Sequence, residues 1–245
     1  MANRVQTLAQ GSLNWEYVVE AATWHQIVPL LHHHLTSTCP TAIPDSVQDR
    51  LQSLYYAHAV RSVRLGREEL PALLSALQEH NIAVLPFKGP ILGAKVYGEL
   101  SLRSFVDLDL LVEEEAVPQV HEILKARGYS HNSVYNFEQA YSSTIAGLPY
   151  ALDVHWQIAD PIHSFRIDYD QLWRRAQRVS ISGVNTDVFA EDDLFIVLGI
   201  HGSKHGWGRL KWVCDVSEAL EVHPDVDWEQ VLDKAQAWRC ERMVL

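Results

Sequence analysis

The run Val106-Asp107-Leu108-Asp109-Leu110-Leu111-Val112 constrains this chain more than any other stretch of it. Its apolar character predicts a strand over Phe105 to Val112. Residues i and i+2 of a strand point to the same face, so Asp107 and Asp109 stand side by side. Two ionised carboxylates in an otherwise apolar strand repel each other and persist only where something positive neutralises them. A divalent cation answers that need: Mg²⁺ takes one or two carboxylates together with phosphate oxygens and water. Ions of this kind activate a hydroxyl and steady a leaving pyrophosphate. A strand end whose acids simply face solvent would also account for the pair, so the surrounding segments decide.

Two segments supply that context. Ala151-Leu152-Asp153-Val154-His155-Trp156 alternates so that Asp153 and His155 share one face. If this strand lies beside the first, Asp153 becomes a third carboxylate at the cation site or a general base on the attacking hydroxyl; otherwise it makes a surface salt bridge. Upstream, Ile82-Ala83-Val84-Leu85-Pro86-Phe87 is a short buried strand, and Lys88-Gly89 follows it at a junction with a helix over Ile91 to Tyr97. Glycine there lets backbone approach a phosphate closely, and a helix N-terminus favours an anion.

The rest of the chain frames these segments. From Trp15 to about Glu79 the apolar spacing is helical. A loop over Thr36 to Pro44 interrupts it, Asp45 and Gln48 suggest a capping box, and Gly66 with Pro71 suggests a break. A helix over Glu113 to Arg127 ends at Gly128. Strands are expected over Tyr129 to Tyr135, Ala140 to Ile145 and Tyr150 to Ile158, the last two joined by a turn at Gly147-Leu148-Pro149. Val179 to Ile181 and Val184 to Phe189 form a small hairpin around Ser182-Gly183. Helices resume at Glu191, and the last amphipathic one runs into Met243-Val244-Leu245 with no cap, as a chain that continues or docks would. The organisation is thus a helical N-terminal region over 1–80, an α/β (α+β) core over 81–190, and a C-terminal helical region over 191–245, which the missing cap marks as a candidate for truncation.

Taken together, strand, glycine turn, helix, Asp-x-Asp strand and a lone carboxylate on a later strand resemble the DNA polymerase beta-like nucleotidyltransferase superfamily. More narrowly, Leu85-Pro86-Phe87-Lys88-Gly89, Leu102-Arg103-Ser104-Phe105 running into the Asp-x-Asp strand, and Leu152-Asp153-Val154-His155-Trp156 look like an uncharacterised bacterial nucleotidyltransferase family. Its helical tail is matched by His201-Gly202-Ser203-Lys204-His205-Gly206-Trp207, with Leu210-Lys211-Trp212 and Asp215 beyond. The resemblance implies a minimal mixed sheet with helical additions at both ends. It implies Asp107, Asp109 and Asp153 as metal ligands and catalytic residues, and Mg²⁺ or Mn²⁺ as the ion. The implied reaction moves a nucleoside monophosphate from a nucleoside triphosphate to an acceptor hydroxyl and releases pyrophosphate. Alanine at Asp107 or Asp109 is then expected to abolish turnover and leave the fold intact or stabilised.

Lys88, Gly89, Arg103 and Lys204 are the candidate nucleotide-binding residues. Arg103 reaches the phosphates or anchors its strand. Lys204, with Arg209 and Lys211, meets the triphosphate or an anionic acceptor, or makes a solvated helix face. Pro90 departs from the superfamily, which usually has Gly or Ser there, and proline has no N–H to offer. A catalytically degenerate nucleotide-binding or protein-interaction module is the alternative function. His201 and His205 have the i, i+4 spacing of a zinc pair without an evident third ligand.

Composition narrows the acceptor. Acidic residues number 31 against 20 basic, a formal charge of −11, which disfavours a face that tracks DNA or tRNA phosphates; a small-molecule acceptor is favoured over a protein or tRNA. Cys39, Cys214 and Cys240 form neither a disulfide framework nor a CxxC knuckle, as in a reduced cytoplasmic protein. No apolar window is long enough to suggest a membrane span.

Overall fold

A computed structural model describes residues 2–145 and 147–244 of the chain. Five helices open it: α1 (Ala2–Ala9), α2 (Trp15–Trp24), α3 (Val28–Thr38), α4 (Asp45–Arg64) and α5 (Leu70–Glu79). The capping box at Asp45 does not form; Pro44 occupies the cap position and Asp45 instead places its charge in the first turn, where the helix dipole favours it. The expected break at Gly66 and Pro71 is also absent. A π-helical turn over Leu65–Glu69 joins α4 to α5, and its wider i→i+5 bonding absorbs a proline that has no N–H to give. Gly66 serves close packing: a Cβ there would lie 2.8 Å from the Leu100 side chain.

The core follows as β1 (Val84–Phe87), α6 (Gly89–Lys95), β2 (Asp107–Val112), α7 (Val117–Ala126), β3 (Ser130–Val134), β4 (Glu138–Ile145) and β5 (Leu148–His155). Leu148 and Pro149, expected in a turn, belong to β5 and pair with Ile145 and Thr144. The sheet order is β1-β2-β5-β4-β3, with β2 and β5 parallel and every other pair antiparallel. Between β5 and the next strand lies α8 (Tyr169–Arg175), a helix the apolar spacing did not announce. The hairpin β6 (Gln177–Ile181) and β7 (Val184–Val188) turns at Ser182 and Gly183, both with positive φ, the backbone a two-residue hairpin prefers. The remaining helices are α9 (Glu191–Lys204), α10 (Leu210–Val222), α11 (Trp228–Ala237) and α12 (Glu241–Val244).

Strand alternation divides the sheet into two chemically different faces. Leu108, Leu110 and Val112 of β2 and Leu152 and Val154 of β5 pack with Leu73, Leu74 and Leu77 of α5 and Val120 and Leu124 of α7. The opposite face carries Leu85 and Phe87 of β1 and Leu111 of β2, buried with Ile196 and Ile200 of α9 and Val231 of α11. On that same face the alternation puts Asp107, Asp109, Asp153 and His155. A third, smaller core unites α1 to α4 through Val19, Val28, Leu35 and Leu51. The apolar end of the chain docks: Met243 and Val244 lie on α9 at Gly199, where an added Cβ would be 2.9 Å from the Met243 carbonyl oxygen. Leu245 lies outside the described residues. Among these, no helix is long and apolar enough to cross a membrane.

Candidate active site

The carboxylates converge because β2 and β5 are parallel neighbours in one register. Asp109 stands directly opposite Asp153, and Asp107 opposite Ala151. Phe87 of β1 pairs with Asp109 from the other side, so the residue after it, Lys88, reaches the Asp109 carboxylate in a close ion pair. His155 Nε2 lies 3.2 Å from the same oxygen, and its Nδ1 lies 3.0 Å from Glu138 Oε2 on β4. Phe87 and Phe137 flank the imidazole at centroid distances of 5.2 and 6.4 Å.

These contacts set each group's protonation. Burial alone would raise Asp109, but the Lys88 charge and the His155 bond hold it well below the usual carboxylate range. Asp153 makes no ion pair among the described residues: burial and the neighbouring Asp109 charge, against the pull of His155, push it up to about 7. His155 is raised, since its contacts with Asp109 and Glu138 outweigh the cost of burying it. Glu138 is lowered, burial being overcome by His155 and by the charges of Lys204 and Lys88.

The donor set could hold a metal ion. Asp109, Asp153 and His155 each offer one ligand atom, all within 4.8 Å of one another, and they form the only such trio among the described residues. Asp107 is half-buried at the mouth of the same face, where its charge acts on Asp153, Arg103 and Lys211. A second unusual feature is the backbone of Lys88, at φ +57° and ψ −145°, a region L residues rarely occupy and one found at functional sites. Gly89 follows at φ +34°, with its Cα so near β2 that a Cβ would sit 3.2 Å from the Asp107 carbonyl oxygen.

The model of a family described as uncharacterised nucleotidyltransferase matches residues 11–245. The chain belongs to that family. The sheet and helices of this chain are similar to those of the antibiotic-resistance factor ANT(2'')-Ia, with a TM-score of 0.52 at 16% identity over 72% of this chain and 94% of the other. The lincosamide antibiotic adenylyltransferase LnuA, bound to lincomycin, gives 0.47 at 12% identity over 63% of this chain and 96% of its own. An antigenic nucleotidyltransferase-like protein from Paracoccidioides brasiliensis gives 0.46 at 13% identity over 75% and 93%. At such identities the likeness concerns the fold. No curated protein matches the sequence.

Helices α9 and α10 bring the chain's remaining candidates to the carboxylate face. Lys204 lies 4.8 Å from the Phe137 ring centroid; burial and the Lys88 charge lower its pKa, against the pull of Glu138. His201 is pushed down to about 2 by burial and the Lys88 charge, and is therefore neutral. Its ring is 4.8 Å from that of His205, which stacks on Trp212 at 4.9 Å. No third ligand joins the two histidines among the described residues.

Arg103 is drawn to the anchoring role. Its Nε and Nη2 each donate to Asp215 of α10 at 2.8 Å, both side chains being almost wholly buried, and Tyr97 Oη donates to the same carboxylate at 2.8 Å. Sequence reasoning did not foresee Glu138, whose signal is only its place opposite His155 in the β4–β5 register. It placed His155 on the right face without giving it a role.

Proposed function

We propose that this chain is a metal-dependent nucleotidyltransferase that moves a nucleoside monophosphate from a nucleoside triphosphate to a hydroxyl of a small molecule, releasing pyrophosphate. The observation that carries this reading is the register of β2 and β5. It sets Asp109 against Asp153 on one face, with Asp107 one step along it. Asp107, Asp109 and Asp153 would hold Mg²⁺ or Mn²⁺, which would supply charge neutralisation to the carboxylates and phosphate oxygens. Asp153 would complete that set or, in its place, take the acceptor's proton as the hydroxyl oxygen bonds to the α-phosphorus and the bond to the β-phosphate breaks. Lys88, Gly89 and Lys204 line the triphosphate's approach. Lys88 also keeps Asp109 ionised, while Arg103 fixes the loop entering β2.

A small-molecule acceptor fits the −11 charge better than tRNA or DNA, and the fold is shared with an antibiotic-resistance factor. Three free cysteines agree with a cytoplasmic setting. A catalytically degenerate nucleotide-binding or interaction module is the second reading, and the turn at Pro90 favours it. Proline offers no N–H, and the amides of Ile91 and Leu92 already bond the Lys88 carbonyl.

Calorimetric titration of ATP, GTP, CTP and UTP with Mg²⁺ or Mn²⁺, on wild type, Asp107→Asn and Asp153→Asn, tests the proposal. Metal-dependent nucleotide binding that is lost or much weakened in both variants is expected. Nucleotide binding that ignores the metal and both substitutions would overturn the metal site and leave the module reading.

A further inference from the structure

The glycine turn of this chain has little backbone left for a polyphosphate. Pro90 has no N–H, and those of Ile91 and Leu92 are bonded to the Lys88 carbonyl oxygen. The Lys88 ammonium is committed to Asp109, and the Arg103 guanidinium to Asp215. Beyond the cation proposed above, a triphosphate approaching the carboxylates must therefore find its positive partners elsewhere, because a buried or half-buried anion without charge-assisted bonds is costly.

Helix α10 carries a lysine in the right place. Lys211 and Asp215 are four residues apart, and residues so spaced lie on one face of a helix. Asp215 on that face grips Arg103, four residues ahead of Asp107, so Lys211 is turned toward the segment that enters β2. Both Asp215 oxygens are occupied, by Arg103 and Tyr97. Among the described residues no carboxylate lies within ion-pair distance of either Lys211 or Lys204. The ring of His205, between the ends of α9 and α10, feels the charges of Lys204, Lys88 and Lys211 together. The three ammonium groups thus lie near one ring, that of His205.

We propose that Lys211 is a polyphosphate-binding residue, which with Lys204 grips the triphosphate from the helical side and replaces the backbone donors that Pro90 removes. The inference rests on the nucleotidyltransferase reading. It adds a residue outside the core's strands and turn, and a reason the departure at Pro90 is tolerated. An ammonium used as a point charge reads phosphate and not base, so the grip is indifferent to the nucleobase.

Calorimetry with inorganic tripolyphosphate, and separately with ATP and AMP, each with Mg²⁺, tests it on the full chain. The proteins are wild type, Lys211→Met, Lys211→Arg and, as a control, Lys125→Met on the exposed side of α7. Thermal unfolding verifies that each is folded. Lys211→Met is expected to weaken tripolyphosphate and ATP about tenfold or more, to leave AMP within about twofold, and to be partly rescued in Lys211→Arg. Tripolyphosphate and ATP binding equal to wild type in folded Lys211→Met would overturn the role of Lys211 while the nucleotidyltransferase reading stands. Failure of wild type to bind either ligand would overturn both.

Discussion

Replacing Asp109 by alanine separates two ideas about why the acid is there. From the strand alone, an acid between apolar residues is a liability whose removal costs nothing. In the structure it is neutralised, and it neutralises in turn: the Lys88 side chain is 12% exposed and that of Asp109 3%. Alanine leaves a largely buried ammonium without its carboxylate, a change that costs about 3–5 kcal/mol. It also removes the bond that His155 makes from its other side. For a chain of this length each kcal/mol moves the melting temperature by about 2–4 °C, so a fall of about 6–20 °C is expected. Asp107→Ala, at a half-buried acid with no ion pair among the described residues, should stay within about 0.5 kcal/mol of wild type. The double variant Lys88→Met/Asp109→Leu removes both charges and should recover most of the loss. Urea unfolding and thermal melting at pH 7, without added metal, measure all three. If Asp109→Ala is as stable as Asp107→Ala, or if the double variant is no better than the single, the Lys88–Asp109 pair does not hold the turn to the strand.

Two further outcomes follow from the helical side. Burial and the Arg103 charge bring Lys211 down to about 8 from an ordinary 10.5, about 3 kcal/mol against its charged form. The unfolded chain keeps that proton up to about pH 10.5 and the folded chain only to about 8. Between those values the unfolded state binds more protons and wild type gains stability as pH rises. Lys211→Met should therefore be the more stable protein at pH 7, with the gap closing toward pH 10.5; parallel pH–stability curves would refute the buried charge. Gly199→Ala sets a methyl 2.9 Å from the Met243 carbonyl oxygen, a backbone atom with little room to move. Faster hydrogen exchange confined to α12 is expected, and unchanged exchange there would show that the helix is not seated on Gly199.

Much of the site was legible because strands report their faces directly. Asp107, Asp109 and Asp153 needed only alternation and the guess that two apolar strands are neighbours, which the parallel β2–β5 pairing bears out. What stayed hidden depended on long-range register. Glu138 meets His155 only once β4 is laid antiparallel to β5, and nothing local to Phe137 or Gln139 announces it. The partner of Arg103 is 112 residues away, so sequence left it between phosphate and anchor. Local signals also misled where tertiary packing overrode them. Gly66 and Pro71 read as punctuation, yet a π-helical turn carries the helix through both. Helix α8 is short, with Leu172 its only fully buried residue, too little for an apolar period to show.

The buried Arg103–Asp215 pair bears on how this protein can be divided. A chain cut at the end of the α/β core, near residue 190, would keep Arg103 and discard Asp215. The stranded guanidinium would sit four residues before Asp107, at the entry to the strand that carries Asp107 and Asp109. A chain that kept the helices but lost Arg103 would bury a lone carboxylate in α10. Each portion holds the counter-charge of the other, so the helical part is built into the entry to β2 and is not an accessory to be exchanged. Swapping it between relatives would demand that both ends of that one ion pair travel together.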